Sequence, residues 1–242
     1  MRKEQVDALL KHGKNDLDKI EEQYNKALDA TTIPSNLQID IKNYMENLRS
    51  ALDYIAHDIY EQQIAPSRAS TGKSEPSKIY FPYGKTENDF KSRVGSSLPD
   101  LKNVSPNLYN TLEEIQPYKV GDNWLIDFCS ILNEKKHNKL TPQKKEEKRG
   151  LNIDFGGAKI QMGPGSSISG TGFIGTSTGR IHLQNDKISG DSPAQNISGK
   201  VNQTIVRWIS FKFADTGVEV LPLLKKAMVG IKGMSSDVYQ IL

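Results

Sequence analysis

The chain has 242 residues, of which 36% are hydrophobic and 25% charged, with a mean hydropathy of -0.56 and a formal net charge of +3. This length admits one elaborate domain or two unequal ones. No apolar run approaches the ~20 residues that span a bilayer, and the opening MRKEQVDALL lacks the apolar segment of a signal peptide, so a cytoplasmic protein without a membrane partner is expected.

A single cysteine, Cys129, excludes an intrachain disulfide framework and a Cys-based zinc cluster. Charge and glycine both divide near residue 150. Residues 1–150 hold 23 Lys and Arg against 23 Asp and Glu, and residues 151–242 hold 9 against 6. Neither half is basic enough to read as a nucleic-acid glove. Six glycines precede Leu151 and 13 follow it, which disfavours one continuous helical bundle.

In chain order, Val6, Leu10, Leu17, Ile20, Tyr24 and Leu28 recur at helical steps and predict a long amphipathic helix. Pro34 breaks it. Ile41, Met45, Leu48, Leu52, Ile55 and Ile59 predict a second helix, antiparallel to the first. The segment 65–77, rich in Ser, Pro and Lys, reads as an exposed linker, and Ile79 to Tyr83 as a short extended segment around Pro82. After an irregular stretch over 97–106, Leu108, Leu112 and Ile115 predict a short helix ending before Pro117. Asp122 is the expected N-cap of a helix running from Asn123 to about Leu140. Its apolar residues Trp124, Phe128, Ile131 and Leu132 occupy one side, and Ile126 and Cys129 another, so a central helix whose first half is buried on two sides is expected.

Beyond that helix, Gln143 to Gly150 reads as a polar connector, and the period then changes. Asn152 to Phe155 and Ala158 to Met162 predict a hairpin around Gly156 and Gly157. Ile181 to Leu183 and Thr204 to Phe213 add extended elements, and Val220 to Ile231 returns to helical spacing. The fold expected is α+β. A mainly helical domain of long antiparallel helices over 1–145 is followed by a Gly-rich β part over 150–242 that ends in a helix.

Gly170, Gly172 and Gly175 have the G-x-G-x-x-G spacing of a dinucleotide site, but Thr176 to Gly179 does not open a helix, so a glycine-rich loop or hairpin is expected. Around Gly72, Lys73 and Ser74, Arg68 stands where a phosphate-binding loop requires its first glycine. His12, His57, His137 and His182 show no paired-histidine metal spacing. No cofactor or metal is expected.

Two polar constellations remain. Arg49, Asp53 and His57 are spaced four apart on the second helix, where Asp53 can hold Arg49 or orient His57. Asn133, Lys136 and His137 lie at the end of the central helix. There His137 suits a general acid or base, Lys136 or Arg49 suits stabilisation of a developing anion, and Asn133 suits orientation of a substrate group. The bland readings are an ion-pair row on the second helix and a cationic helix terminus on the central one. From Lys135 to Arg149 seven basic residues meet Glu146 and Glu147, a local charge of +5 that either attracts phosphate or is a solvated linker.

The segments Arg49 to Ala56 (RSALDYIA), Tyr80 to Pro82 (YFP), Gln116 to Tyr118 (QPY) and Asn133 to His137 (NEKKH) together resemble a widespread group of bacterial helical proteins. That group carries an R-x-A-L-D helix, an F-P segment, a Q-P-Y turn and a late N-x-x-K-H helix, and the resemblance covers about residues 37–140. More loosely the chain is similar to HEPN-type helical domains, in which an Arg and a His on one helix form an RNA-cleaving site, often across a homodimer. Here Arg49 precedes His57 by eight positions, so such a site would join Arg49 to His137 across two helices. The resemblance implies binding or metal-independent cleavage of RNA in stress or phage defence, with Arg49, Asp53, Asn133, Lys136 and His137 at the site, Lys135 to Arg149 as the RNA contact and a homodimer as partner. The competing expectation is a non-catalytic interaction or ligand-sensing protein in which the polar helix residues form a structural network and the Gly-rich segment acts as a lid.

Overall fold

A computed structural model describes residues 1–28, 33–134, 143–190 and 192–242. The chain is α+β, and its contacts group it into two compact units: Met1–Lys144 with Phe211–Leu242, and Lys145–Ser210.

The first unit is helical. Helix α1 (Lys3–Ala27) and helix α2 (Ser35–Ile59) bury the predicted stripes, Val6 to Tyr24 on one and Ile41 to Ile59 on the other. The pair is antiparallel: Gln23 donates to Asp40 at 2.8 Å near one end, and Arg2 reaches Asp58 at 3.0 Å near the other. Asp58 is fully buried. It also accepts from the Arg2 backbone N–H and the Tyr239 hydroxyl, which satisfies a carboxylate that burial alone would penalise.

A π-helical turn, Tyr60–Ile64, follows α2 and leads into α3 (Ala65–Ser70), whose first turn contains Pro66. The expected linker is therefore helical in its first six residues. The wider turn frees the backbone from supplying the amide hydrogen that proline lacks. Helix α4 (Glu87–Ser97) is an element the periodicity argument missed. Its signals are a Thr86/Asp89 capping box and the four-residue spacing of Phe90, Val94 and Leu98, all buried. Short helices α5 (Leu101–Val104), α6 (Pro106–Glu114) and α7 (Pro117–Val120) lead to α8 (Trp124–Glu134). Asp122 caps α8 through the Trp124 N–H at 2.9 Å, as expected. Leu125, Phe128 and Cys129 are fully buried, so α8 is enclosed on two sides. The expected continuation to Leu140 lies outside the described residues.

The strands are β1 (Gln143–Asp154), β2 (Lys159–Met162), β3 (Ser167–Gly175), β4 (Gly179–Ser189), β5 (Ile197–Gly199) and β6 (Asn202–Phe213). Among the described residues they form two sheets, ordered β2-β1-β6 and β3-β4-β5. The register pairs Ile153 with Ile160 across β1 and β2, and Phe173 with His182 across β3 and β4. Leu151 and Ile153 of β1, Phe155 just past its end, and Ile181 and Leu183 of β4 supply the core of this unit.

Gln143 to Gly150, read as a connector, is the first two thirds of β1. Pairing of the backbone makes it a strand although its side chains are polar. The glycine-rich tract is a strand as well, and β3 and β4 make the hairpin that was one of its two expected forms. Gly175 is required there: φ is +140°, and a Cβ would collide with the Gly179 carbonyl.

Helix α9 (Val220–Ile241) extends ten residues past the predicted end at Ile231. The sequence division placed it with the strands, by chain order, whereas its contacts put Phe211–Leu242 with the helices. Its buried residues, including Leu224, Ile231 and Val238, belong to the helical core together with Phe211 and Phe213. Tyr24 accepts the Phe211 N–H at 2.8 Å, and their rings meet at 4.7 Å. Among the described residues no helix is long and apolar enough to cross a membrane.

Candidate functional site

Arg49 and Asp53 sit one turn apart on α2, as the spacing required, and they pair. Arg49 Nε donates to Asp53 Oδ2 at 3.3 Å, and a second guanidinium nitrogen lies 3.2 Å from Oδ1. A third, Nη1, donates to Cys129 Sγ on α8 at 3.0 Å. Asp53 Oδ1 also accepts the Phe81 N–H at 2.9 Å, which ties the extended segment before α4 to α2. His57 makes no ion pair with Asp53 among the described residues, so Asp53 serves Arg49 and the Phe81 backbone.

Asn133 belongs to the same cluster through a residue the sequence did not single out. Its amide donates to the Tyr83 hydroxyl. The Arg49 guanidinium lies 5.4 Å from the centre of the Tyr83 ring, and that of Arg93, on α4, lies 4.5 Å from it. Both distances suit a cation on an aromatic face. Tyr83 is therefore the piece that joins Arg49 to Asn133. Lys136 and His137, the remaining two candidates, lie outside the described residues, as does the basic stretch from Lys135 to 142.

The segment that carries Phe81 and Tyr83 is held by Gln116, which is fully buried. Its side-chain oxygen accepts the Gly84 N–H at 2.9 Å, and its nitrogen donates to the Leu112 carbonyl at 2.8 Å and to Pro82 at 3.4 Å. Asp53, Gln116 and Asn133 thus each bond to the stretch Phe81–Gly84. No local pattern announces this, because the bonds join residues 28, 32 and 50 positions apart.

Burial works against the Arg49 charge, but Cys129, Asp53 and Tyr83 more than restore it, and its pKa is raised. Burial pushes the Cys129 thiol up to about 11, with Arg49 opposing, so at neutral pH the sulfur is a protonated acceptor and not a nucleophile. Burial also raises the Tyr83 hydroxyl.

Over this network opens a cleft of about 480 Å³. Arg49, Arg93 and Lys78 line it, with Tyr80, Ser96 and Asn133 among its other walls. Its described lining contains no carboxylate. Tyr80 is 43% exposed. Such a wall attracts an anion and offers an aromatic face beside it. Among the described residues no group of three or more His, Cys, Asp or Glu is placed to hold a metal ion. Comparison of the chain with protein-family models, with curated proteins and with solved structures finds no match.

Proposed function

We propose that the helical unit binds RNA in this cleft, in the manner of HEPN-type domains. The observation that carries the reading is the lining itself: three cations and no carboxylate among the described residues, with tyrosines alongside. Arg93 and Lys78 are exposed and take phosphate oxygens, while Tyr80 offers a face for an unstacked base. Arg49 forms the floor of the cleft with its charge balanced by Asp53, so the positive charge that meets phosphate comes from Arg93 and Lys78. In the cleaving form of this reading His137 acts as general base on a ribose 2′-hydroxyl, Asn133 orients the nucleotide, and Arg49 and Lys136 stabilise the charge that develops on phosphate. A cytoplasmic homodimer acting in stress or phage defence is the setting that goes with it, with residues 135–149 as a further RNA contact.

The test is fluorescence anisotropy with a single-stranded RNA. Each phosphate that a cation neutralises on a single strand adds ~0.7 to the logarithmic salt slope, so Lys78→Ala with Arg93→Ala is expected to weaken binding and to flatten that slope by about 1.4. Cleavage is read separately in the presence of a chelator, with wild type against His137→Ala; equal product from both removes the catalytic form.

A second reading has its own support. Among the described residues, Asp53's bonds and those of all three Arg49 guanidinium nitrogens go to α8, to α2 itself and to the Phe81 backbone, which suits a network that specifies packing in a non-catalytic interaction or ligand-sensing protein. In that case the Lys78/Arg93 variant leaves RNA binding at background, and only Arg49 and Asp53 variants alter stability.

A further inference from the structure

A second concavity lies away from the RNA cleft and shares none of its lining residues. Helices α1 and α9 run antiparallel: Lys225 pairs with Glu21 near one end, and the Lys3 ammonium lies 5.8 Å from the Tyr239 ring centre near the other. Between them is a furrow of about 760 Å³, within the ~300–1,000 Å³ of small-molecule sites. Leu10 and Leu17 form its wall on α1, and Met228 and Val229 its wall on α9. Val229 is 73% exposed, a β-branched apolar residue that the helical core does not use.

Two polar features interrupt this apolar lining. Ser235 is 3% exposed, yet among the described residues its hydroxyl has no hydrogen-bond partner. Its oxygen is not among the buried atoms without a partner, so it meets solvent in the furrow, where a ligand oxygen can take the bond in place of water. One turn away on the same face stands Lys232, which has no ion-pair partner among the described residues; Lys11 on α1 is likewise unpaired. The other charges of the lining are Lys3, Lys14 and Asp18, the last two paired at 3.5 Å, and Asp7. Four ammonium groups thus face two carboxylates.

We propose that this furrow binds a free aliphatic carboxylate of medium chain length. One carboxylate oxygen accepts from Ser235 and the other meets Lys232, while the chain runs along Leu17, Met228 and Val229. The seven helical steps from Met228 to Ser235 give ~10 Å of wall at 1.5 Å per step. The inference is independent of the RNA reading.

The full-length protein is tested by thermal shift and by calorimetric titration with decanoate, decanol and decyltrimethylammonium, and by flotation with phosphatidylglycerol vesicles. Decanoate is expected to raise the melting temperature most and the cation not at all. Lys232→Glu is expected to lower decanoate affinity about tenfold, the loss of one charge-assisted bond, without altering decanol. Ser235→Ala lowers decanoate affinity, and Val229→Glu removes binding of both uncharged and anionic chains. Lys232 and Val229 are exposed, so both variants keep the fold, which circular dichroism checks. Equal stabilisation by decanoate and decanol, an unchanged decanoate affinity in Lys232→Glu, or vesicle binding without decanoate binding each overturns the proposal.

Discussion

Replacing Asp53 tests how much the cluster on α2 contributes, because one carboxylate there holds both a guanidinium and a backbone amide. Asp53→Asn leaves an oxygen for the Phe81 N–H but removes the charge opposite Arg49 and turns an amide NH2 toward it. Only 13% of the Arg49 side chain and 24% of the Asp53 side chain is exposed. Breaking a fully buried pair costs about 3–5 kcal/mol, and an exposed pair contributes ~0–1 kcal/mol. Between these limits, and with Cys129 still accepting from Arg49, the expected loss is about 2 kcal/mol for Asp53→Asn. Asp53→Ala also orphans the Phe81 N–H, adding about 1 kcal/mol. At roughly 2–4 °C per kcal/mol for a domain of 150–250 residues, the melting temperature should fall by about 4–8 °C for Asn and about 6–12 °C for Ala. Differential scanning calorimetry reads the shift, and urea titration gives the same ordering as midpoints. A double-mutant cycle with Arg49→Met should return a coupling of about 1–2 kcal/mol. Both variants melting within 1 °C of wild type, or a coupling near zero, would refute the argument that this pair is a desolvated, shared anchor.

Three other outcomes follow from the same structure. A Cβ at Gly230 would press on the Trp124 indole, with Cη2 at 2.8 Å, whereas nothing lies within 4 Å of one at Gly233. Gly230→Ala should therefore destabilise by about 1–2 kcal/mol despite alanine's helix propensity, and Gly233→Ala should stabilise by about 0.5–1 kcal/mol, both measured by urea denaturation. Gln116→Leu should cost about 2 kcal/mol by orphaning the Gly84 N–H, and should also weaken RNA binding, since Phe81 to Tyr83 forms a wall of the cleft. For Cys129, burial raises the folded thiol above its ordinary value, so its contribution is fully present below about pH 9 and lost as the pH rises toward about 11. Wild-type stability should fall across that window, and Cys129→Ser, which keeps an acceptor for Arg49, should flatten the decline; an unchanged decline assigns it to other groups.

The long helices were legible because their apolar stripes persist over many turns, and the Arg49/Asp53 pair because four-residue spacing on a helix fixes proximity. Helix α4 carried readable signals in Thr86, Asp89, Phe90 and Val94, but its exposed lysine and serines mask the stripe. Gln143 to Gly150 was opaque for the opposite reason: hydrogen-bonded strand neighbours, and not its own side chains, make it a strand. Sequence order placed α9 after the strands and gave no sign that Leu224 and Ile231 complete the helical core. At the site, Tyr83, Cys129, Arg93 and Gln116 have no local signature. Their roles arise from pairings such as Arg49 with Cys129, 80 positions apart, that only the packed helices create.

The central claim, that the cleft beneath Tyr80 and Arg93 is an RNA site, is tested most directly by the salt dependence of single-stranded RNA binding for wild type and for Lys78→Ala/Arg93→Ala. The account predicts measurable wild-type binding whose logarithmic salt slope is shallower by about 1.4 in the double variant, at unchanged melting temperature. Equal affinity and equal slope for the two proteins, or no wild-type binding at low salt, would contradict it.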